Sequence, residues 1–223
     1  MLISDIRIFI SSNKNVMRNH HSSTRFTTLT RVLNLSIIFV FTAVVLFAQT
    51  AKGLLPYENR AHQMVIEGTS NLHDWQTKVY RLNLKAQFAV EKNLVNTVGT
   101  VVLTADARSI KSDKGSIMDG KTHDALKTEK YSNIIFRLKQ IQSVEMANKV
   151  TEIKTTGDLT IAGVTKPVVM NVFTKLLPNN EIEVWGSYKL KMSTFGIAAP
   201  TAVMGTIKTG DEVIVRFDII MKP

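Results

Sequence analysis

Residues 82–91 read Leu-Asn-Leu-Lys-Ala-Gln-Phe-Ala-Val-Glu, with Leu82, Leu84, Ala86, Phe88 and Val90 alternating with Asn83, Lys85, Gln87, Ala89 and Glu91. A period of two marks a strand with one apolar and one wet face. The pattern returns downstream. Ile153, Gly157, Leu159 and Ile161 alternate with Glu152, Lys154, Thr156, Asp158 and Thr160. Ile182, Val184, Tyr188, Leu190 and Met192 alternate with Glu181, Glu183, Ser187, Lys189 and Lys191, and Val213, Val215, Phe217, Ile219 and Met221 with Glu212, Arg216, Asp218 and Lys222. Weaker runs at 62–70, 97–106, 133–142 and 167–177 bring the expected strands to eight.

Ala162-Gly163 with Pro167, Pro178-Asn179-Asn180 and Thr209-Gly210-Asp211 supply turn residues short enough for antiparallel connections. Eight long strands with one apolar face resolve their edges best by closing, so the reading is an all-β, eight-stranded antiparallel barrel whose interior is filled or holds one small ligand. Two segments interrupt the rhythm. Residues 115–130 lack alternation and carry Ala125, Leu126 and Lys127 after Ser112-Asp113, which predicts a short helix or lid after the third strand. Ser193–Thr206 is unusually apolar for a loop, with Phe195, Ile197, Pro200, Val203 and Met204. An apolar loop needs a cover or a ligand, so Phe195, Ile197 and Met204 are expected at a pocket mouth.

The lead segment has a different character. Val32–Ala48 is almost wholly apolar and follows Arg7, Lys14, Arg18, Arg25 and Arg31 against one acid, Asp5. A basic n-region, an apolar h-region and the small residues Ala48, Ala51 and Gly53 predict a signal peptide over residues 1–51, cleaved between about 48 and 53, with the barrel domain at 57–223. Met17 gives a more usual start for such a leader, and an uncleaved signal anchor is the alternative. The rest is expected to be periplasmic or secreted. Of 28 basic and 18 acidic residues the leader holds 5 and 1, which leaves 23 against 17, a net +6. Those charges are single lysines spread along strands, without an Arg-rich run, which argues against nucleic acid and leaves a transient membrane contact open. The composition, 223 residues at 44% hydrophobic with 11 Gly and 5 Pro, excludes a disordered or collagen-like chain, and no 20–50-residue period marks a solenoid. The absence of Cys excludes disulfides, thiolate metal sites and a thiol nucleophile.

Two His-Asp pairs, His73-Asp74 and His123-Asp124, have the residue types of a divalent-metal or proton-transfer site, though their spacing matches no metal signature. The plainer reading makes Asn71–Trp75 a turn in which Asp74 accepts backbone N–H groups and His73 is tied to a neighbour. No nucleophile elbow, phosphate loop or dinucleotide fingerprint is present, so nothing argues for an enzyme and no cofactor is implied. What remains is apolar shape. The candidate pocket lining is Leu84, Phe88, Phe136, Leu159, Tyr188, Leu190, Phe195, Ile197, Met204 and Phe217.

Gly68-Thr-Ser-Asn-Leu-His-Asp-Trp75, Met118-Asp-Gly-Lys-Thr-His-Asp-Ala-Leu-Lys127 with Tyr131 and Ile135-Phe136, Gly157-Asp-Leu-Thr-Ile-Ala-Gly-Val-Thr-Lys-Pro167, Phe195-Gly-Ile197 and Gly205–Asp211 together resemble the YceI-like family of exported lipid- and polyisoprenoid-binding proteins. The likeness runs from about residue 60 to the C-terminus. It implies a lipocalin-like barrel, an elongated apolar pocket for an isoprenoid or other long-chain amphiphile, and export. It gives Leu72-His73-Asp74-Trp75 as a family motif without a role. The leading expectation is a non-enzymatic carrier, as a monomer or a homodimer. The alternatives are a metal-dependent enzyme using His73, Asp74, His123 and Asp124, and a ligand-free envelope-stress or structural protein.

Overall fold

The computed structural model describes residues 53–223. The expected signal segment, its cleavage site and the start at Met17 lie outside them. The described chain forms β1 (Leu55–Ser70), β2 (Trp75–Val79), β3 (Leu82–Glu91), β4 (Leu94–Asp106), β5 (Ile110–Ser112), α1 (Ser116–Leu126), β6 (Asn133–Ala147), β7 (Val150–Ile161), β8 (Val164–Leu176), β9 (Ile182–Lys191), β10 (Thr201–Ala202) and β11 (Ile207–Lys222). All ladders are antiparallel. The order β11-β9-β8-β7-β6-β4-β3-β1 closes through the β11–β1 pairing into an eight-stranded barrel, with β2, β5 and β10 added at one end. Among the described residues the barrel sheet closes on itself around two apolar clusters.

One end is closed by tight turns at Lys92-Asn93 and Asn148-Lys149, all four residues at positive φ, and by Pro178–Asn180. Beneath them Tyr57, Phe88, Val95, Ile182 and Met221 pack into a solid floor, with the Tyr57 and Phe88 rings edge to face at 5.4 Å. The other end carries the Ser70–Trp75 turn, α1, Ala162-Gly163 and the 192–206 segment. No described helix is long and apolar enough to cross a membrane.

Three ladders are incomplete. β4 and β6 pair only from Val102–Arg137 to Asp106–Asn133, so toward the floor end these two strands have no ladder. β1 pairs with β3 at Leu55–Glu58 and with β2 at Val65–Gly68 in one register, but residues 59–64 between them have no ladder partner on that side. Side chains take over: Asn59 Oδ1 accepts from Leu84 N at 2.7 Å, Asn59 Nδ2 donates to the Leu82 carbonyl at 3.4 Å, and His62 Nε2 faces the Val79 carbonyl at 3.3 Å. β8 and β9 pair only from Val172–Gly186 to Leu176–Ile182, so toward the α1 end the two strands run side by side without a ladder. Pro167 falls in that stretch of β8, where sheets tolerate a residue without an N–H.

Two expectations are corrected here. Thr209-Gly210-Asp211 is no turn but lies inside β11, paired at Ser70–Thr209 with β1. The helix starts at Gly115, not on Ser112-Asp113. Ser112 instead gives its N–H to Asp119 Oδ1 at 2.7 Å, which ties the first turn of α1 to β5.

Candidate functional site

Inward residues of all eight barrel strands surround a cavity of about 240 Å³ between the floor and α1. Along β11 it runs from Val213 to Ile219, about 20 Å of strand at the usual rise per residue. No charged side chain lines it; the only hydroxyls are those of Thr77, Thr122 and Tyr188. Burial raises the pKa of the Tyr188 phenol, so it stays a neutral hydrogen-bonding group at physiological pH.

The cavity exists because aromatic rings lie against glycines in its wall. Gly68 pairs across the ladder with Trp75, and Gly186 with Phe217. The Phe136 ring covers Gly157, one strand over. A Cβ at Gly186 would stand 2.8 Å from Phe217 Cζ, and one at Gly68 or Gly157 would collide with Trp75 or Phe136. Without those Cβ atoms the rings lie along the wall instead of across the lumen.

The upper end is tied down by polar contacts. Lys121 Nζ on α1 donates to the Thr201 carbonyl at 2.7 Å, and Asn71 bridges the β1–β2 turn to the last segment, Nδ2 to the Thr206 carbonyl at 2.9 Å and Oδ1 from Lys208 N at 2.9 Å. Asp211 accepts from the Ser193 N–H at 2.8 Å and its hydroxyl at 2.5 Å, and these bonds hold its carboxyl below the usual range. Thr122, Ala125 and Leu126 of α1, with Ile197 and Pro200, form the cavity roof.

Leu84, Phe136, Leu159, Tyr188, Leu190, Ile197 and Phe217 line the cavity. Three expected lining residues are elsewhere. Phe88 belongs to the floor; alternation tells which face a residue occupies but not its depth along the barrel axis. Phe195 is buried behind the cavity wall, packed in one cluster with Leu159, Ile161, Val168 and Met192, and does not itself line the cavity. Met204 is fully exposed at a turn tip. Trp75, Thr77, Thr122 and Pro200 are lining residues that the expected set lacks.

The histidines of the two His-Asp pairs bond backbone carbonyls. Ser70, not Asp74, organises the Asn71–Trp75 turn: its Oγ accepts from Leu72 N and His73 N at 3.2 and 3.1 Å. His73 Nδ1 donates to the Asp74 carbonyl at 2.8 Å, and Trp75 Nε1 to the Thr69 carbonyl at 3.0 Å. His123 Nε2 donates to the Ile110 carbonyl at 2.9 Å, fastening α1 to β5, while Asp124 lies with Arg108 and Lys127 on an outer groove. Among the described residues no group of three or more His, Asp or Glu side chains is placed to hold a metal ion.

A family model described as the YceI-like domain matches residues 41–221. Solved structures share the fold. BcnA of Burkholderia cenocepacia superposes with a TM-score of 0.58 at 14% identity, covering 71% of this chain and 95% of that one. A polyisoprenoid-binding domain from Saccharophagus degradans gives 0.55 at 14% identity, over 74% and 97%. A Campylobacter jejuni YceI protein gives 0.51 at 20%, over 65% and 82%. No curated protein matches the sequence.

Proposed function

Because the chain belongs to the YceI-like family, we propose that it is an exported, non-enzymatic carrier that holds the apolar tail of an isoprenoid or similar long-chain lipid inside the barrel. The observation that carries this reading is the cavity wall, apolar over its whole length with three isolated hydroxyls. Such a wall offers an amphiphile's head group nothing and its tail everything. The head then sits near the roof, where Thr122 and the edge of α1 meet solvent. The likeness to a polyisoprenoid-binding domain and the apolar leader at 32–48 support the reading.

Size limits what is held. A cavity of about 150 Å³ takes one benzene ring, so 240 Å³ takes about ten carbons, or two isoprene units. At about 100 Å² and 25 cal/mol/Å² each unit contributes roughly 2.5 kcal/mol before ordering costs. Organic extraction of protein purified from its native compartment, followed by mass spectrometry, tests the proposal. A stoichiometric amphiphile with a prenyl or long alkyl tail is expected; recovery of none, with no rise in melting temperature on adding prenols, overturns it.

A further inference from the structure

Beside Leu55, Tyr80, Val90, Met146 and Val169, four exposed large apolar residues gather at the roof end. Leu72, Ile117, Val203 and Met204 are exposed by 65, 78, 67 and 106% of their surface. They sit on three separate segments, the β1–β2 turn, the first turn of α1 and the β10–β11 turn. Those segments are neighbours at the roof: Asn71 bonds Thr206 and Lys208, and Lys121 bonds Thr201.

The β10–β11 turn is unusual for what it displays. Val203, Met204 and Gly205 follow one another at φ 49°, 51° and 84°. Left-handed backbone favours Asn, Asp and Gly and penalises a β-branched residue such as Val. The other tight turns of this barrel each set one Asn or Gly beside a Lys or Ala, with Lys92-Asn93, Asn148-Lys149 and Ala162-Gly163. Among the described turns, this one alone holds two large apolar side chains in solvent on left-handed backbone. Nothing within the described fold uses them, which is what an external apolar partner would explain.

Charge identifies the partner. Lys111, Lys114 and Lys208 are exposed around these residues, and Lys121 is half-buried beside them. Several acids of the same end are occupied: Asp113 pairs with Lys78, Asp119 holds Ser112 N, Glu129 pairs with Arg108 and Asp211 holds Ser193. Asp74 and Asp124 remain exposed. At the floor end the exposed Leu55, Val90 and Met146 stand singly, the last two beside Glu91 and Glu145, over a packed core. Exposed apolar side chains on segments that also carry these lysines suit an anionic bilayer surface, whereas two copies meeting by this face would bring like charges together. We propose that the roof end is a membrane-docking surface, in which Val203, Met204, Leu72 and Ile117 enter the interface of an anionic bilayer while the lysines meet its head groups. The docked face is the one closed by α1, so a tail passing between bilayer and cavity need not cross water.

The test uses residues 53–223, whose barrel sheet closes on itself around two apolar clusters, without cargo, so its outcome is independent of whether the barrel carries a lipid. The native chain has no Cys, so Met204→Cys and, at the floor end, Lys149→Cys each accept one environment-sensitive dye. With phosphatidylcholine vesicles containing phosphatidylglycerol, the unlabelled protein is expected to cosediment in a salt-sensitive manner, and the dye at 204 to shift blue while that at 149 does not. The double variant Val203→Asn, Met204→Asn suits the turn better and should keep or raise the melting temperature, yet weaken vesicle binding by about tenfold or more. Absence of binding by the parent protein, equal shifts at both labels, undiminished binding by the Asn variant, or a shift at 204 from self-association without vesicles would each overturn the proposal.

Discussion

A ring laid against a glycine decides whether this barrel is hollow. The three heavy atoms nearest to the Cβ that Gly68 lacks all belong to the Trp75 ring, so the constraint centres on that pair. Gly68→Ala is expected to cost about 1–3 kcal/mol by overpacking. In a Trp75→Leu background the cost should fall to well under half of that, and a double-mutant cycle by urea unfolding measures the coupling. Equal costs in both backgrounds would show that the ring is not what the glycine accommodates. A second residue-scale prediction concerns Asp211, which holds the start of the roof segment through Ser193. Those bonds hold its carboxyl below the ordinary aspartate value of 3.8 in the folded state, so the stabilisation is fully present above that value and is lost as pH falls through the lower, folded one. An NMR titration should place the Asp211 midpoint below 3.8, with faster exchange of the Ser193 amide once it protonates; a midpoint at or above 3.8 contradicts the contact. Met204 shows where sequence reading stops at this scale. Apolar character argues for burial, but a turn tip has no interior to turn toward, and only the conformation of the chain reveals that.

Between elements, the long alternating runs were legible because one buried face imposes a period of two over many residues. The places where strands split were not. β2 and β3 continue one register along β1, and the separation at Tyr80-Arg81 shows in no periodicity. It is fixed from outside, by Ser109, whose Oγ accepts from Arg81 N at 2.9 Å and whose carbonyl accepts from Tyr80 N at 3.2 Å, and by the Asn59 side chain. Asn59→Ala leaves the Leu84 N–H without its acceptor in a half-buried site, an expected loss of about 1–3 kcal/mol with earlier exchange of the Leu84 amide. Asn59→Asp keeps an acceptor and should protect that amide better than Ala does. If Ala and Asp variants exchange alike, the splice is not held by this side chain. The helix over 116–126 was legible as an interruption, and its exposed, weakly amphipathic sequence suits an element held by Lys121, His123 and Asp119 more than by its own apolar face.

For the molecule as a whole, a floor fixed by Tyr57, Phe88 and Met221 and a roof held by a few polar contacts mean that length can be gained only upward. Affinity for prenols of increasing length should therefore rise steeply through about two isoprene units, roughly tenfold or more for each by the burial arithmetic, and then flatten, with association slowing as α1 must move. Isothermal titration and stopped-flow fluorescence with a chain-length series measure both. A continued steep rise would mean that the cavity extends past Phe88, contrary to its packing. The closed barrel, the site's apolar character and its place in a known family could be read from residues alone, whereas the cavity's depth could not, since it depends on which rings find glycines. There remains the stretch where β8 and β9 run without a ladder above Val172–Gly186, beside Met170 and Tyr188 of the cavity wall. Mechanically the roof end of the barrel is a split ring: around most of its circumference hoop tension is carried by amide hydrogen bonds, but along this meridian it rests on side-chain contact. Such a ring widens by springing apart at its slit, so the wall can dilate to admit a thicker guest, and recoil afterward, without unzipping a single strand.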